Sequence, residues 1–341
     1  MDSKLFIRRA AAVLLIAALF APFFVGPVPV RAQDAPKIVF DYSHGQYASK
    51  LENTTDLQLE NNLTDLGYEV VWAWGGINSS ILSDADGLVL GSVYGESNVY
   101  LASEVTAIAD WFNAGGKFLW VGFDSDYGGN QYHHDTNIEI LEAVGSHVYG
   151  EPTSVEDPIS NTEAAYRVVA NGTSDDPFVA DIVAGVDKVL MHGPTLVYGS
   201  NSDTPGENVE PVALETTTIP NVYPLIYYGA AAEIKDADTR YPYAHEDGQQ
   251  GAFVAATLEV NAGDAGDGVI VVSGASAYGD YQPMCSWVYY DIALSGDHLV
   301  EQAIDFGMTY QPPADMTLLL VGGGIGAVVI IILIVVLVRR K

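Results

Sequence analysis

Seven polar residues of this sequence fall just after short apolar runs. Asp41, Ser43 and His44 follow residues 37–40, Ser92 follows 87–90, Asp124 and Asp126 follow 117–121, and Ser276 follows 268–272. Carboxylates beside an imidazole and hydroxyls are the parts of general acid–base catalysis, and equally of a hydrogen-bonding ligand site. Ser125 adds a hydroxyl between two aspartates, but no histidine and aspartate follow it in a serine-hydrolase order. Turns favour small polar residues for their own geometry, which is the plain alternative for all seven.

Metal and cofactor chemistry finds less support. His133 and His134 are adjacent in Tyr132-His-His-Asp135, and neighbouring imidazoles diverge unless the chain turns, whereas catalytic zinc takes three protein ligands. Asp124-Ser-Asp126 and Asp264-Ala-Gly-Asp267 offer oxygen ligands in tight turns, without the twelve-position loop that ends in Glu. No metal ligand is assigned. Neither a Gly-x-Gly-x-x-Gly after a strand nor a Gly-x-x-x-x-Gly-Lys occurs, so no cofactor is expected. The single thiol, Cys285, lies several residues beyond the last apolar run and reads as a small buried residue.

The elements that position the seven residues alternate. Runs at 37–40, 68–72, 87–90, 117–121 and 268–272 read as strands, and 55–66 and 104–112 carry apolar residues at helical spacing. Nearly continuous apolar strands separated by helices imply a sheet covered on both faces, a Rossmann-like or flavodoxin-like α/β fold with a mostly parallel sheet. In such sheets ligands bind beyond the carboxyl ends of the strands, the edge that Asp41, Ser43, His44, Ser92, Asp124, Asp126 and Ser276 would share. Residues 151–262 are richer in Pro, Thr, Tyr and acid and read as a β-rich elaboration, with strands at 222–228 and 251–258.

The ends are of another kind. Lys4, Arg8 and Arg9 precede an apolar run over 10–25, and Val30-Arg-Ala32 supplies small residues at a cleavage site, so 1–32 is expected to be a secretory signal. Residues 318–338 carry no charge and, at about 1.5 Å each, would reach roughly 32 Å, the thickness of a bilayer core. Arg339, Arg340 and Lys341 then stop the chain on the cytoplasmic side, after a Pro-containing spacer at 311–317. The domain at 33–310 is thereby expected outside the membrane. Of 14 basic residues seven lie in these termini, leaving seven against 43 acids and a charge near −36. That field argues against a nucleic-acid partner. Sequons at Asn53, Asn62, Asn78 and Asn171 would carry glycans in a host able to add them.

A family resemblance attaches to these motifs. Ile38-Val-Phe-Asp-Tyr-Ser-His-Gly45, Gly115-Gly-Lys-Phe-Leu119, Met191-His-Gly-Pro194 and the run 268–276 resemble segments of the class I glutamine amidotransferase-like domain. That version occurs in archaeal and bacterial membrane proteins, gliding-motility and ABC-transport auxiliary proteins, and some intraflagellar transport proteins. The resemblance implies a catalytic cysteine in a Gly-x-Cys-x-Gly turn after the strand at 117–121. Here that turn is Gly122-Phe-Asp124-Ser125-Asp126, with a carboxylate where the thiol would stand. The expectation is therefore a catalytically inactive, membrane-anchored binding domain for an extracytoplasmic ligand or an envelope or transporter partner. Two alternatives stand beside it: a hydrolase of glycan or peptide acting through Asp124 and His44, and a structural cell-envelope component.

Overall fold

Ile38, Val39 and Phe40 are wholly buried because their strand, β1 (Lys37–Asp41), has a neighbour on each edge and helices over each face. The computed structural model describes residues 35–127, 131–235 and 242–313. Chain order continues with β2 (Glu69–Ala73), β3 (Gly87–Leu90), β4 (Phe118–Gly122), β5 (Gly172–Thr173), β6 (Val222–Tyr227), β7 (Val254–Ala262) and β8 (Gly268–Ser273). Together they form one eight-stranded sheet in the order β2-β1-β3-β4-β8-β7-β6-β5.

Strand β1 pairs in parallel with β2 and β3, β3 with β4, and β4 with β8. Beyond β8 every pairing is antiparallel. The sheet is thus mixed, where the sequence suggested a mostly parallel one. The cause is residues 151–262: they do not merely decorate the sheet but supply β5, β6 and β7 to its edge. A tight turn joins β7 to β8, and two strands joined so closely can only run antiparallel. The rest of this stretch makes short two- and three-stranded sheets, among them Arg167–Ala170 against Val189–His192.

Side chains alternate across the sheet, as a pleat requires. Ile38, Phe40, Val89, Trp120 and Val271 enter one core, while Val39, Leu88, Leu90, Leu119, Val121 and Ile270 enter the other. After α1 (Ser49–Asn53), α2 (Thr55–Asp65) brings Leu59 and Leu63 to the first face. The short α3 (Ser79–Leu82) is followed by α4 (Ala102–Asn113) and α5 (Gln131–Ala143). These two cover the second face with Ile108, Trp111, Phe112, Ile140 and Leu141. The last helix, α6 (Gly296–Thr309), returns to the first face through Leu299, Val300, Ala303 and Ile304.

The expected signal at 1–32, anchor at 318–338 and basic stop at 339–341 lie outside the described residues. Among the described residues no helix is long and apolar enough to cross a membrane.

Candidate functional site

Three clusters occupy the carboxyl-end rim of the parallel strands. The first grows from the loop after β1. Gly45 stands at φ 89°, and a Cβ there would meet the Tyr94 carbonyl at 2.2 Å, so only glycine lets this loop lie against the one after β3. His44 consequently turns inward. Its Nδ1 bonds Asp41 Oδ2 at 2.6 Å, its Nε2 lies 3.3 Å from Glu104 Oε2, and its ring lies against Tyr100. Asp41 also accepts from the Tyr100 hydroxyl at 2.9 Å and from the Ser43 amide at 2.9 Å. Burial disfavours charge on His44, but the bond and charge of Asp41, joined by Glu104, outweigh it and raise the pKa. With both ring nitrogens engaged by carboxylates that favour its charged form, His44 ties elements together.

The second cluster follows β4 and β8. Asp124 receives the Ser125 amide at 2.7 Å, and Asp280 accepts the Tyr94 hydroxyl at 2.6 Å. Burial, and next the charge of Asp280, hold the Asp124 carboxyl well above the carboxylate range, although the Ser125 amide and the Tyr94 hydroxyl pull it back. Burial also pushes Asp280 up to about 6, against the pull of Tyr94, the Tyr281 amide and Lys50. Burial and the charge of Asp280 thus favour the protonated form of Asp124, and Tyr94 opposes this in both acids. His133 donates from Nε2 to the Asp124 carbonyl at 2.9 Å, and burial holds its pKa at about 4, so it stays neutral. The Ser125 amide also bonds the Gly193 carbonyl at 3.0 Å, which joins this turn to the third cluster.

That third cluster is a strip of rings. Tyr94 meets Tyr47, Tyr47 meets Tyr281, and Tyr281 meets His192 at centroid separations of 5.2, 6.4 and 5.3 Å. His192 continues to Tyr166 at 5.6 Å and to Tyr289 at 6.4 Å, and Tyr290 completes the strip. Lys50 lies over Tyr281, and Arg167 over Tyr166, Tyr289 and Tyr290. Burial first, then the charge of Arg167, lower the His192 pKa to about 4.

The residues named from sequence divide accordingly. Asp41, Ser43 and His44 do come together, and Asp124 lies on the same rim. His44, Asp124 and Ser276 share no hydrogen bond. Ser276 is buried, donating to the Tyr278 carbonyl at 2.5 Å and accepting the Ser92 amide at 3.1 Å. Ser92 in turn donates to the Phe123 carbonyl at 2.6 Å, and Asp126 accepts from Ser154 at 2.9 Å beneath the surface. These three hold loops to one another. Ser125 is buried. Cys285 sits below, its thiol 3.9 Å from Asp56 and its pKa raised by burial and then by that carboxylate. Among the described residues no three His, Cys, Asp or Glu side chains are grouped to share a metal ion.

Of the sequons, Asn62 donates to Glu301 and Asn78 caps α3, while Asn171 is exposed and donates to Ser160 at 3.1 Å; the Asn53 side chain lies outside the described ones. Sequence reasoning missed Glu104, Asp280, His192, Lys50 and Arg167. The Met191-His-Gly-Pro194 turn was the available signal for His192, since a histidine beside Gly-Pro after an apolar run ends a strand as Asp124 does.

No protein-family model matches the chain, and no curated protein matches it. Among solved structures, the mmIFT52 N-terminal domain aligns with 81% of this chain and 99% of its own length, at 11% identity and a TM-score of 0.52. The likeness is one of fold. A ThuA-like protein from Bacteroides uniformis covers 83% of the chain and 96% of its own length at 12% identity and a TM-score of 0.41. The glutaminase domain of Trypanosoma brucei CTPS covers 82% and 96% at 12% identity and a TM-score of 0.35.

Proposed function

We propose that this chain is a non-catalytic glutamine amidotransferase-like domain that binds a ligand or an envelope or transporter partner at the rim around Asp124. In this reading residues 318–338 hold it at the outer face of a membrane, as an auxiliary of a transport or cell-surface assembly. The observation that carries the proposal is the turn after β4, where a carboxylate, Asp124, stands in the place of a nucleophilic thiol and its nearest electrostatic neighbour is a second acid, Asp280. His44 supports it, because a histidine held by two carboxylates has no free nitrogen with which to take a proton from a nucleophile.

Ammonia release from glutamine is the direct test. The full chain is expected to release none above the level of Asp124→Ala, and turnover that this variant loses would overturn the reading. External protease on intact cells is expected to remove the domain and leave a membrane stub; protection until lysis would overturn the orientation.

One observation favours a second reading. Two interacting carboxylates whose pKa values are both raised can serve as acid and base in hydrolysis. Asp124 and Asp280 have that character. Hydrolysis of a glycan or peptide by the full chain, abolished in both Asp124→Asn and Asp280→Asn, would decide for it.

A further inference from the structure

The field of this protein is overwhelmingly negative, and of the six lysines and arginines among the described residues three are neutralised by ion pairs and three, Lys188 among them, are not. Lys37 pairs with Asp84, Lys117 with Asp86 and Lys235 with Glu233. Lys50 and Arg167 differ: among the described residues neither makes an ion pair, and both lie over tyrosine rings of the strip beside Asp124. The rings are open to solvent, with Tyr47 at 42%, Tyr166 at 43%, Tyr281 at 52% and Tyr290 at 45% exposure. His192 Nε2 and Arg167 Nε are both shielded from solvent and have no hydrogen-bond partner among the described residues.

Resting on the reading that this rim binds rather than reacts, we propose that the strip takes a carboxylate-bearing oligosaccharide. Lys50 and Arg167 would meet its carboxylates, and Tyr47, Tyr281 and Tyr290 would pack against its sugar faces. Aromatic faces offer large contact area at low entropic cost, and two unpaired cations suit a ligand with one or two negative charges. Remote acids oppose an anion only at long range, because charges are screened beyond about 8 Å at physiological ionic strength. Asp280 is the nearer acid and interacts with Lys50, so Arg167 is the cation less offset. A nucleic acid, with its dense charge, would need many more cations than two. An acidic peptide would need a strand edge or groove for its backbone. The hairpin at the strip pairs Val288–Tyr289 with Ile292–Ala293, strands of two residues each and too short to extend.

The test measures binding of the full chain to a galacturonate dimer, the neutral galactose dimer and a glutamate dipeptide. Binding of the uronate, with neutral sugar and peptide each weaker by at least about ten-fold, is expected, the worth of one charged hydrogen bond. Lys50→Gln, Arg167→Gln and Tyr281→Ala should each weaken uronate binding by about ten-fold at unchanged melting temperature. Should a variant unfold, raising the salt concentration on the native chain must weaken uronate binding in its place. Equal binding of neutral sugar, preference for the peptide, salt-independent binding, or no uronate binding would each overturn the ligand class. New reducing ends released from the uronate would instead overturn the non-catalytic reading and support the ligand class.

Discussion

Glu104 closes the first turn of α4 on the Leu101 amide at 2.9 Å, and the same carboxylate oxygen lies 3.3 Å from Nε2 of His44. Its second oxygen accepts the Ile77 amide at 2.8 Å. One buried carboxylate therefore fastens the loop after β1, the approach to α3 and the start of α4, and Asp41 balances it across the imidazole. Removing one member of such a set leaves a buried charge without its partner, which costs more than the intact set contributes.

Glu104→Ala is accordingly expected to destabilise the fold by about 3 kcal/mol, and Glu104→Gln, which keeps an acceptor for one of the two amides, by somewhat less. Chemical denaturation measures both. Equal loss in the two variants would mean that packing, not the charge on His44, accounts for the effect.

A pH dependence follows from two buried groups with raised pKa values. Burial opposes charge on His245, but bonds to Glu151 and Glu215 outweigh it and raise its pKa to about 9. Its contribution is complete below the unfolded value of about 6.5 and is lost as pH rises through about 9. Burial pushes Asp56 up to about 6 despite the Tyr42 hydroxyl and the Gly279 amide. The protonated form is thus the one the fold prefers, and its contribution, present below about 3.9, is lost as pH rises through about 6. Both slopes have one sign, but His133 and His192, whose pKa values burial lowers to about 4, oppose them between pH 4 and 6.5, so a net fall of the melting temperature is expected from 6.5 to 9. Asp56→Asn should make the slope between pH 4 and 6 more positive, and His245→Gln should flatten the decline between 6.5 and 9. Calorimetry across that range checks each limb separately.

Cys285 is wholly enclosed, and a thiol whose pKa is raised by burial and by Asp56 is a poor nucleophile. Iodoacetamide should therefore label it only after unfolding. Cys285→Ser should cost no more than about 1.5 kcal/mol, since a hydroxyl can still donate to Asp56. Rapid labelling of the folded chain would show an access path to the thiol.

The strands were legible because burial on both faces demands uninterrupted apolar runs, and β1 with its polar turn at Asp41 and His44 is the plainest case. Helix α5 was not. Its inward residues include His133, His134, Thr136 and Asn137, so the half that packs against the strand ends carries no apolar period. Asp41 and His44 sit three positions apart and could be paired on sight, whereas Glu104 meets His44 across sixty positions and only through the angle of α4. Asp280 and His192 come from irregular loops whose course depends on pairings in the short sheets, and no local pattern announces those.

The most discriminating variants concern the acid pair on the rim. Burial alone would raise Asp124, and Asp280 raises it further, so Asp280→Asn should lower the Asp124 pKa without returning it to the ordinary carboxylate value. Tyr94→Phe should act in the opposite direction. The Tyr94 hydroxyl donates to the charged form of each acid, and its loss should push both pKa values up. Carbon-detected NMR of the carboxyl groups follows both titrations in one experiment. The paired arrangement predicts opposite displacements of Asp124 in the two variants, and displacements of the same sign would show that Tyr94 is only a packing residue. Because the two carboxyls interact, the native titration should also be broader than that of an isolated acid, and Asp280→Asn should sharpen it to a single step.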